Sequence, residues 1–147
     1  MRLRVEIEDR ASARLESLAG RELTDARRRL IEQAMREALA DTLRGNPVET
    51  GRSRAAWAAA LQQAGGEAPA EWRGPHPDAG AIAEGAARGS LTRSDGESTT
   101  DLSADNRVRY VGFLEYGTRR RVPFAMVRRA LVRVQQQLSQ WFEFPPQ

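Results

Sequence analysis

Cysteine and lysine are both absent from this chain of 147 residues. Without cysteine, the chain has no disulfide, no thiolate ligand for a metal and no cysteine nucleophile, so the fold depends on side-chain packing. Without lysine, all 23 basic residues are arginines, which remain charged at any pH near neutrality. The sequence pI is therefore about 10.4, although the formal net charge is only +3.

The arginines have two explanations that the sequence leaves open. Guanidinium groups can bind phosphates or carboxylates through paired hydrogen bonds, which would give the arginines a role in recognition. A coding bias in a GC-rich genome would also produce them, together with the many alanines and glycines. Because 20 acidic residues nearly balance the 23 basic ones, the coding bias is the stronger explanation for most of them.

Residues suited to catalysis are also scarce. His76, the only histidine, lies between two prolines, and no second histidine or any cysteine can share a metal with it. The stretch from Gly85 to Gly89 lacks the spacing and the lysine of a phosphate-binding loop. Carboxylate pairs such as Asp101 with Asp105 have no other group beside them that marks a reacting centre. We therefore expect no enzyme activity, no cofactor and no metal site.

Long apolar runs are missing as well. No stretch approaches the roughly 18 residues needed to cross a membrane, and the first residues do not resemble a signal peptide. The mean hydropathy is -0.61, and the length suits a single domain over residues 1–147. We expect a soluble protein made in the cytoplasm, with no membrane partner.

The apolar pattern predicts a strand followed by a long helix. Apolar and charged residues alternate over residues 3–8, which is typical of a half-buried strand. Apolar residues then recur at helical spacing from about residue 11 to residue 43. Gly20 leaves open whether this is one kinked helix or two stacked helices, and Gly45 ends the pattern.

The middle of the chain is more polar. Residues 50–64 favour a helix, with a strand as the alternative. Residues from about 65 to 105 hold most of the Gly, Ser, Thr, Asp and Pro, so we predict a mobile arm or an extended hairpin there. Within this segment, residues 79–87 are compatible with a helix, and residues 99–106 with a strand that leads back to the core.

Aromatic, glycine and proline signals are concentrated in residues 106–131. The apolar spacing from Val108 predicts a short helix with Gly117 at its C-terminal cap, and a strand is the alternative. Pro123 is predicted at the first position of a final helix. Phe124 begins the apolar stripe of that helix, so we expect its side chain in the core.

Glu115 lies among aromatic and apolar residues of the predicted short helix. It is either at the solvated edge of that helix or partly buried. A partly buried carboxylate needs a partner, which Arg54 or one of the arginines at 119–121 could supply.

Arginine clusters occur at three places. Those at 27–29 and 128–133 lie on predicted helices, where neighbouring side chains point in different directions, so we interpret them mainly as solvated. Arg119, Arg120 and Arg121 are consecutive on a turn between two predicted helices. They form a local positive projection suited to an acidic protein surface or to a DNA backbone.

One set of residues forms an ordered pattern over the last two-thirds of the chain. A Thr-Gly element precedes a Trp, and a Tyr then leads to a Glu-aromatic-Gly-Thr box and a Pro-Phe pair. The members are Thr50, Gly51, Arg54, Trp57, Asn106, Tyr110, Glu115, Tyr116, Gly117, Thr118, Pro123 and Phe124. This pattern resembles the small neck or tail-completion proteins, which join head to tail in long-tailed bacteriophages and related prophages. The chain differs by a weak strand signal around Trp57, by a polar insertion at about residues 88–100 and by the arginines after Thr118.

The resemblance implies an α+β subunit with a long N-terminal helix, a small antiparallel sheet and a C-terminal helix. It implies a homo-oligomeric ring at the head-tail junction of the virion, between a head-completion or connector protein and the tail terminator or tail tube protein. One corner of the fold would be built by Tyr110, Glu115, Tyr116, Gly117, Thr118 and Phe124, and no cofactor is implied. If Arg119, Arg120 and Arg121 faced the lumen of the ring, they would contact DNA without reading its sequence. The alternatives are a tail terminator ring protein and a basic nucleic-acid-binding module.

Overall fold

The computed structural model describes residues 1–8 and 12–141, and the side chains of residues 1–6 and 24–138. The elements in chain order are β1 (Arg2–Glu8), α1 (Ser12–Gly45), α2 (Arg52–Gln63), a 3-10 turn (Ala70–Arg73), α3 (Ala79–Ala86), β2 (Gly89–Asp95), β3 (Thr99–Asn106), α4 (Val111–Tyr116) and α5 (Met126–Trp141). This arrangement confirms the predicted α+β fold, with its long N-terminal helix, small antiparallel sheet and C-terminal helix.

The sheet has the strand order β1-β3-β2, and both pairs are antiparallel. In β3, alternate residues from Thr100 to Asn106 are buried, while the residues between them are less buried. On this second face, Asp101 and Asp105 form ion pairs with arginines of β1. Alternation of this kind fixes the register, because a slip by one residue would exchange the two faces.

The polar segment at residues 65–105 forms packed elements. β2 and β3 make a hairpin, β3 is the central strand of the sheet, and α3 packs against α2. The prediction of a hairpin is therefore correct, as are the helix at 79–87 and the strand at 99–106. The alternative of an arm extending from the domain is wrong, because the hairpin supplies two of the three strands.

α1 and α2 pack against the sheet, while α5 packs against α1 and α3 packs against α2. α1 is continuous from Ser12 to Gly45, so the alternative of two stacked helices is wrong. Its side chains at residues 31, 35, 39 and 43 are fully buried at helical spacing. α5 packs along α1 and buries Val127 and Val134 of the predicted stripe, together with Ala130. The stripe was predicted to end at Trp141 or Phe142; the structure describes neither the side chain of Trp141 nor Phe142.

α2 is the central helix, and its position confirms the helical alternative for residues 50–64. It contacts α1, α3, β2 and β3, so it is buried on most of its circumference. Trp57 is fully buried, and small alanines cover most of the remaining surface of the helix. Alanine allows neighbouring elements to approach closely at little cost in side-chain entropy.

The start of α5 differs from the prediction. The helix begins at Met126, so Pro123 lies in the preceding loop and not at the first helical position. Phe124 donates its backbone N–H to the carbonyl of Leu114 (2.9 Å), which holds it in that loop. Ala125 then adopts a left-handed conformation (φ 50°), and the Phe124 side chain is 41% exposed. The prediction of a core position for Phe124 is therefore wrong.

Candidate functional site

A groove of about 730 Å³ lies between the loop that joins α1 to α2 and the chain around α4. One wall comes from residues 47–52, and the other comes from residues 110–124. Residues of both parts of the sequence pattern line it, together with two of the three consecutive arginines: Thr50, Tyr110, Thr118, Phe124, Arg120 and Arg121. The fold thus brings separated parts of the pattern together at one surface feature.

Large apolar side chains are exposed at and beside this groove. We call Tyr110, Phe113, Tyr116, Val122 and Phe124 the apolar patch. Phe113, Tyr116 and Val122 are 65%, 68% and 85% exposed. Among the described residues, Val132 is also large, apolar and exposed, but it lies on α5, outside the patch. Tyr110, Phe113, Val122 and Phe124 line the groove together. Exposed apolar residues scattered singly are normal, but such a group marks an interaction surface.

The turn that carries the arginines is held by its backbone. Thr118 N–H donates to the Arg121 carbonyl (2.9 Å), and Thr118 Oγ1 accepts from the N–H of Arg120 (3.2 Å). Gly117 permits the turn with a φ of 78°, and a Cβ there would lie 2.7 Å from the Arg121 carbonyl oxygen. Arg119, Arg120 and Arg121 are exposed, as predicted.

Glu115 connects α4 to the start of α5. Its side chain is 1% exposed, and its carboxylate accepts hydrogen bonds from the N–H groups of Val127 (2.9 Å) and Arg128 (3.1 Å). These are N–H groups of the first turn of α5, which have no partner within the helix. A carboxylate from another element therefore caps α5, in the place where the helix dipole favours negative charge.

Arg128 is the ionic partner of Glu115. Its Nε donates to the carboxylate at 3.0 Å, its Nη2 donates to the Glu115 carbonyl at 2.9 Å, and its guanidinium lies 5.2 Å from the Tyr116 ring centre. The predictions of Arg54 or the arginines at 119–121 as partners are wrong, since the folded chain brings α5 to Glu115. Arg128 was interpreted as solvated because helical spacing does not reveal a contact with another element.

Asn106, another residue of the pattern, belongs to a buried polar network. Asn106 is fully buried, donates to the Ser53 carbonyl (3.1 Å) and accepts from the Val108 N–H (3.1 Å). Ser53 Oγ in turn donates to Asn46 Oδ1 (3.0 Å). The network joins the end of β3 to the loop between α1 and α2. Sequence reasoning missed Asn46 and Ser53, because nothing in their spacing distinguishes them from turn residues.

Thr50 and Gly51 shape the wall of the groove that precedes α2. Gly51 is left-handed (φ 87°) and its carbonyl accepts from the N–H of Ala55 (2.8 Å), which starts the helix. The Thr50 carbonyl accepts from the N–H of Asp78 (3.2 Å), which ties this wall to the start of α3. Trp57 lies inside the core and not at the groove, so its contribution is to packing.

Arg54 links the end of α1 to the 3-10 turn. Its guanidinium donates to the carbonyls of Arg44 (3.4 Å), Glu71 (3.2 Å) and Trp72 (3.1 Å), and its Nε donates to the carbonyl of Asn46. Burial lowers the pKa of Arg54 from its ordinary value. The planar fork thus satisfies carbonyls at the end of α1 and in the 3-10 turn.

Arg54→Lys is expected to lower the free energy of unfolding by about 1–3 kcal/mol, because an ammonium cannot reach the same set of carbonyls as the guanidinium fork. Chemical denaturation followed by circular dichroism measures the change. Arg73→Lys is the matched control, since the described contact of the Arg73 side chain is with the Trp72 ring, at 5.5 Å. Equal stability of the two variants would contradict the proposed role of the fork.

Arginines without a carboxylate partner are concentrated in the C-terminal part of the chain, which also supplies one wall of the groove. From residue 106 to residue 142 the sequence has eight arginines and one acid, Glu115. Within the described chain, six of these arginines have no carboxylate within salt-bridge distance: Arg107, Arg109, Arg119, Arg120, Arg121 and Arg129. Elsewhere, Arg2, Arg4, Arg28, Arg44, Arg52, Arg88 and Arg93 each contact a carboxylate. Two of the uncompensated arginines, Arg120 and Arg121, line the groove beside the apolar patch.

Over the described residues, no group of three or more His, Cys, Asp or Glu side chains is arranged to hold a metal ion. None of the helices in this part of the chain is both long and apolar enough to span a membrane. Comparison of the chain with protein-family models, curated proteins and solved structures gives no match.

Proposed function

We propose that this chain is a structural virion protein of a tailed bacteriophage. It forms a homo-oligomeric ring at the head-tail junction and joins the head-completion or connector protein to the tail terminator or tail tube protein. The proposal starts from the resemblance of the Thr-Gly and Glu-aromatic-Gly-Thr elements to neck and tail-completion proteins. In this reading the protein acts as an assembly subunit made in the host cytoplasm, without catalysis or a cofactor. The alternative is a tail terminator ring, which would differ from this proposal only in its position within the virion.

The observation that carries the proposal is the apolar patch beside the groove. Tyr110, Phe113 and Phe124 line the groove, and exposed aromatic side chains are enriched at protein interfaces relative to other surfaces. The core already has its own apolar residues from α1, α2 and α5. The patch is therefore best explained by a protein partner that covers it after folding.

A ring requires a contact between two different faces of each subunit. Such a heterologous contact closes into a ring when the rotation between subunits is a whole fraction of a turn. The patch and groove supply one face, and their uncompensated arginines favour an acidic or aromatic-acidic surface on the next subunit.

The decisive experiment is electron microscopy of particles from a producing strain with and without this gene. Separate filled heads and finished tails are expected in its absence, since the joining subunit would be missing. Normal infectious particles in its absence would overturn the proposal. Restoring the gene on a plasmid should restore joined particles.

Phe113→Ser is expected to weaken self-association by about 30-fold, because a central aromatic anchor typically contributes about 2 kcal/mol or more to an interface. Sedimentation velocity over a concentration series measures this change. The control is Val132→Ser, which removes an exposed apolar side chain from α5 outside the patch. Loss of association in both variants, or in neither, would contradict a role for the patch in assembly.

The six uncompensated arginines favour a second candidate, a basic nucleic-acid-binding module. It predicts binding of free duplex DNA by the monomer that weakens steeply with salt, because each phosphate contact releases a counterion. Fluorescence anisotropy at several salt concentrations, with wild type and an Arg119→Ser, Arg120→Ser, Arg121→Ser variant, tests it. Tight binding that the triple variant loses would favour this candidate, and weak binding in both would remove it.

A further inference from the structure

The groove has a chemical match in the sequence that follows α5. Residues 142–147 read Phe-Glu-Phe-Pro-Pro-Gln, and Glu143 is the only acid after Glu115. We propose that these residues of one subunit dock into the groove of the next. This proposal rests on the proposed function and names the contact that would link the subunits. The groove then takes an aromatic-acidic peptide segment as its ligand.

The complementarity is one of both apolar character and charge. The groove presents Phe113 and Phe124 beside Arg120 and Arg121, and Glu49 is the carboxylate on its opposite wall. Phe142 and Phe144 match the aromatic residues, while Glu143 between them matches the arginines. Guanidinium groups pair with a carboxylate through two parallel hydrogen bonds, which would fix the register of the segment. The two following prolines restrict the backbone and so reduce the entropy lost on docking.

The segment of the same molecule begins far from this groove. Phe124 lies just before α5, and the helix of 16 residues places its far end about 22 Å away at a rise of about 1.5 Å per residue. Phe144 is three residues beyond Trp141, so it can lie no more than about 11 Å from the end of α5. Phe144 of the same subunit would therefore lie at least about 11 Å from Phe124, Cα to Cα, and only if the segment folded back along α5, so another copy of the chain is the occupant that we propose.

The two halves of the contact lie at opposite ends of α5. The groove is at its start, close to the end of α1, where Gly45 lies against Met126. The segment 142–147 follows its other end. A subunit with the donor at one end and the acceptor at the other can repeat the same contact from copy to copy, as a heterologous ring requires.

The test uses two full-length variants. The donor variant carries Phe142→Ser and Phe144→Ser, and the acceptor variant carries Phe113→Ser. We expect each variant alone to be monomeric under conditions where wild type assembles. An equimolar mixture should form dimers and nothing larger, because the acceptor variant still offers a segment and the donor variant still offers a groove. Light scattering after size exclusion gives the masses, and circular dichroism checks that both variants are folded.

A peptide assay provides the second measurement. A fluorescent peptide of residues 142–147 is expected to bind the donor variant, whose groove is free, and to bind about 30-fold more weakly when Phe113→Ser is added. Glu143→Gln in the peptide should weaken binding about threefold, as expected for an exposed ion pair. Unlabelled duplex DNA should not displace the peptide.

The outcomes separate this inference from the proposed function. If the donor variant assembles like wild type, or the mixture gives larger oligomers, the inference is overturned while a ring built from other contacts remains. Absence of peptide binding to the donor variant, or displacement of the peptide by duplex DNA, also overturns it. The microscopy of particles without the gene tests the role at the head-tail junction independently.

Discussion

Glu115→Ala is expected to lower the free energy of unfolding by about 2–4 kcal/mol. The substitution leaves the N–H groups of Val127 and Arg128 without their acceptor, and Val127 lies in the buried face of α5. It also removes a negative charge from the end of the helix where the dipole favours it. Urea denaturation followed by circular dichroism measures the change.

The control for this prediction is Glu84→Ala. Glu84 also forms ion pairs, with Arg52 (3.0 Å) and Arg88 (2.8 Å), but its side chain is 42% exposed. Exposed ion pairs contribute about 0–1 kcal/mol, so this variant should be nearly as stable as wild type. Glu115→Gln should be intermediate, since an amide oxygen can still accept one N–H while the charge is lost. Similar losses in the Glu84 and Glu115 alanine variants would contradict the capping role.

Glu115 shows which contacts of a buried side chain can be predicted from the sequence. The aromatic residues around Glu115 predicted that its side chain lies either at the solvated edge of the helix or partly buried. A buried charge is costly without a partner, so an ionic partner was expected. The identity of the partner depended on where α5 packs, which is a long-range property of the fold. Local spacing could not supply Arg128, although it correctly placed Gly117 at the end of α4.

The apolar patch illustrates a second limit. The spacing of Phe113 and Phe124 correctly marked them as apolar positions near helices, and the usual inference from this is a place in the core. Spacing states which residues share a face, but it does not state whether another element covers that face. In the fold, Phe113 of α4 and Phe124 of the following loop line the groove and remain exposed, so these residues became the candidate site.

The regular elements were more predictable, because each has a local physical cause. Alternation predicted β1, and helical periodicity predicted α1 and the buried stripe of α5. The strand at residues 99–106 was also predicted, yet its central place in the sheet was not. That place depends on pairing with β1, almost one hundred residues earlier in the chain.

Gly89→Ala and Gly85→Ala are expected to be the most disruptive single-methyl substitutions, each lowering the free energy of unfolding by about 3 kcal/mol. A Cβ at Gly89 would lie 1.9 Å from the carbonyl oxygen of Ala56, and one at Gly85 would lie 2.0 Å from that of Arg52. Both obstacles are backbone atoms of α2, which cannot move aside because α1, α3 and the sheet surround it. Denaturant unfolding curves measure the loss.

Gly112→Ala is the matched control for these substitutions. Gly112 lies within α4, and a Cβ there meets no atom within 4 Å, so alanine should be neutral or stabilising by up to about 1 kcal/mol. If all three variants lost similar stability, the loss would come from replacing a flexible glycine and not from a clash with the backbone of α2. The expected contrast would show that Gly85 and Gly89, which lack the features of a phosphate-binding loop, are required because α3 and β2 lie directly against the backbone of α2. The groove depends on that packing, since its wall at residues 47–52 leads directly into α2.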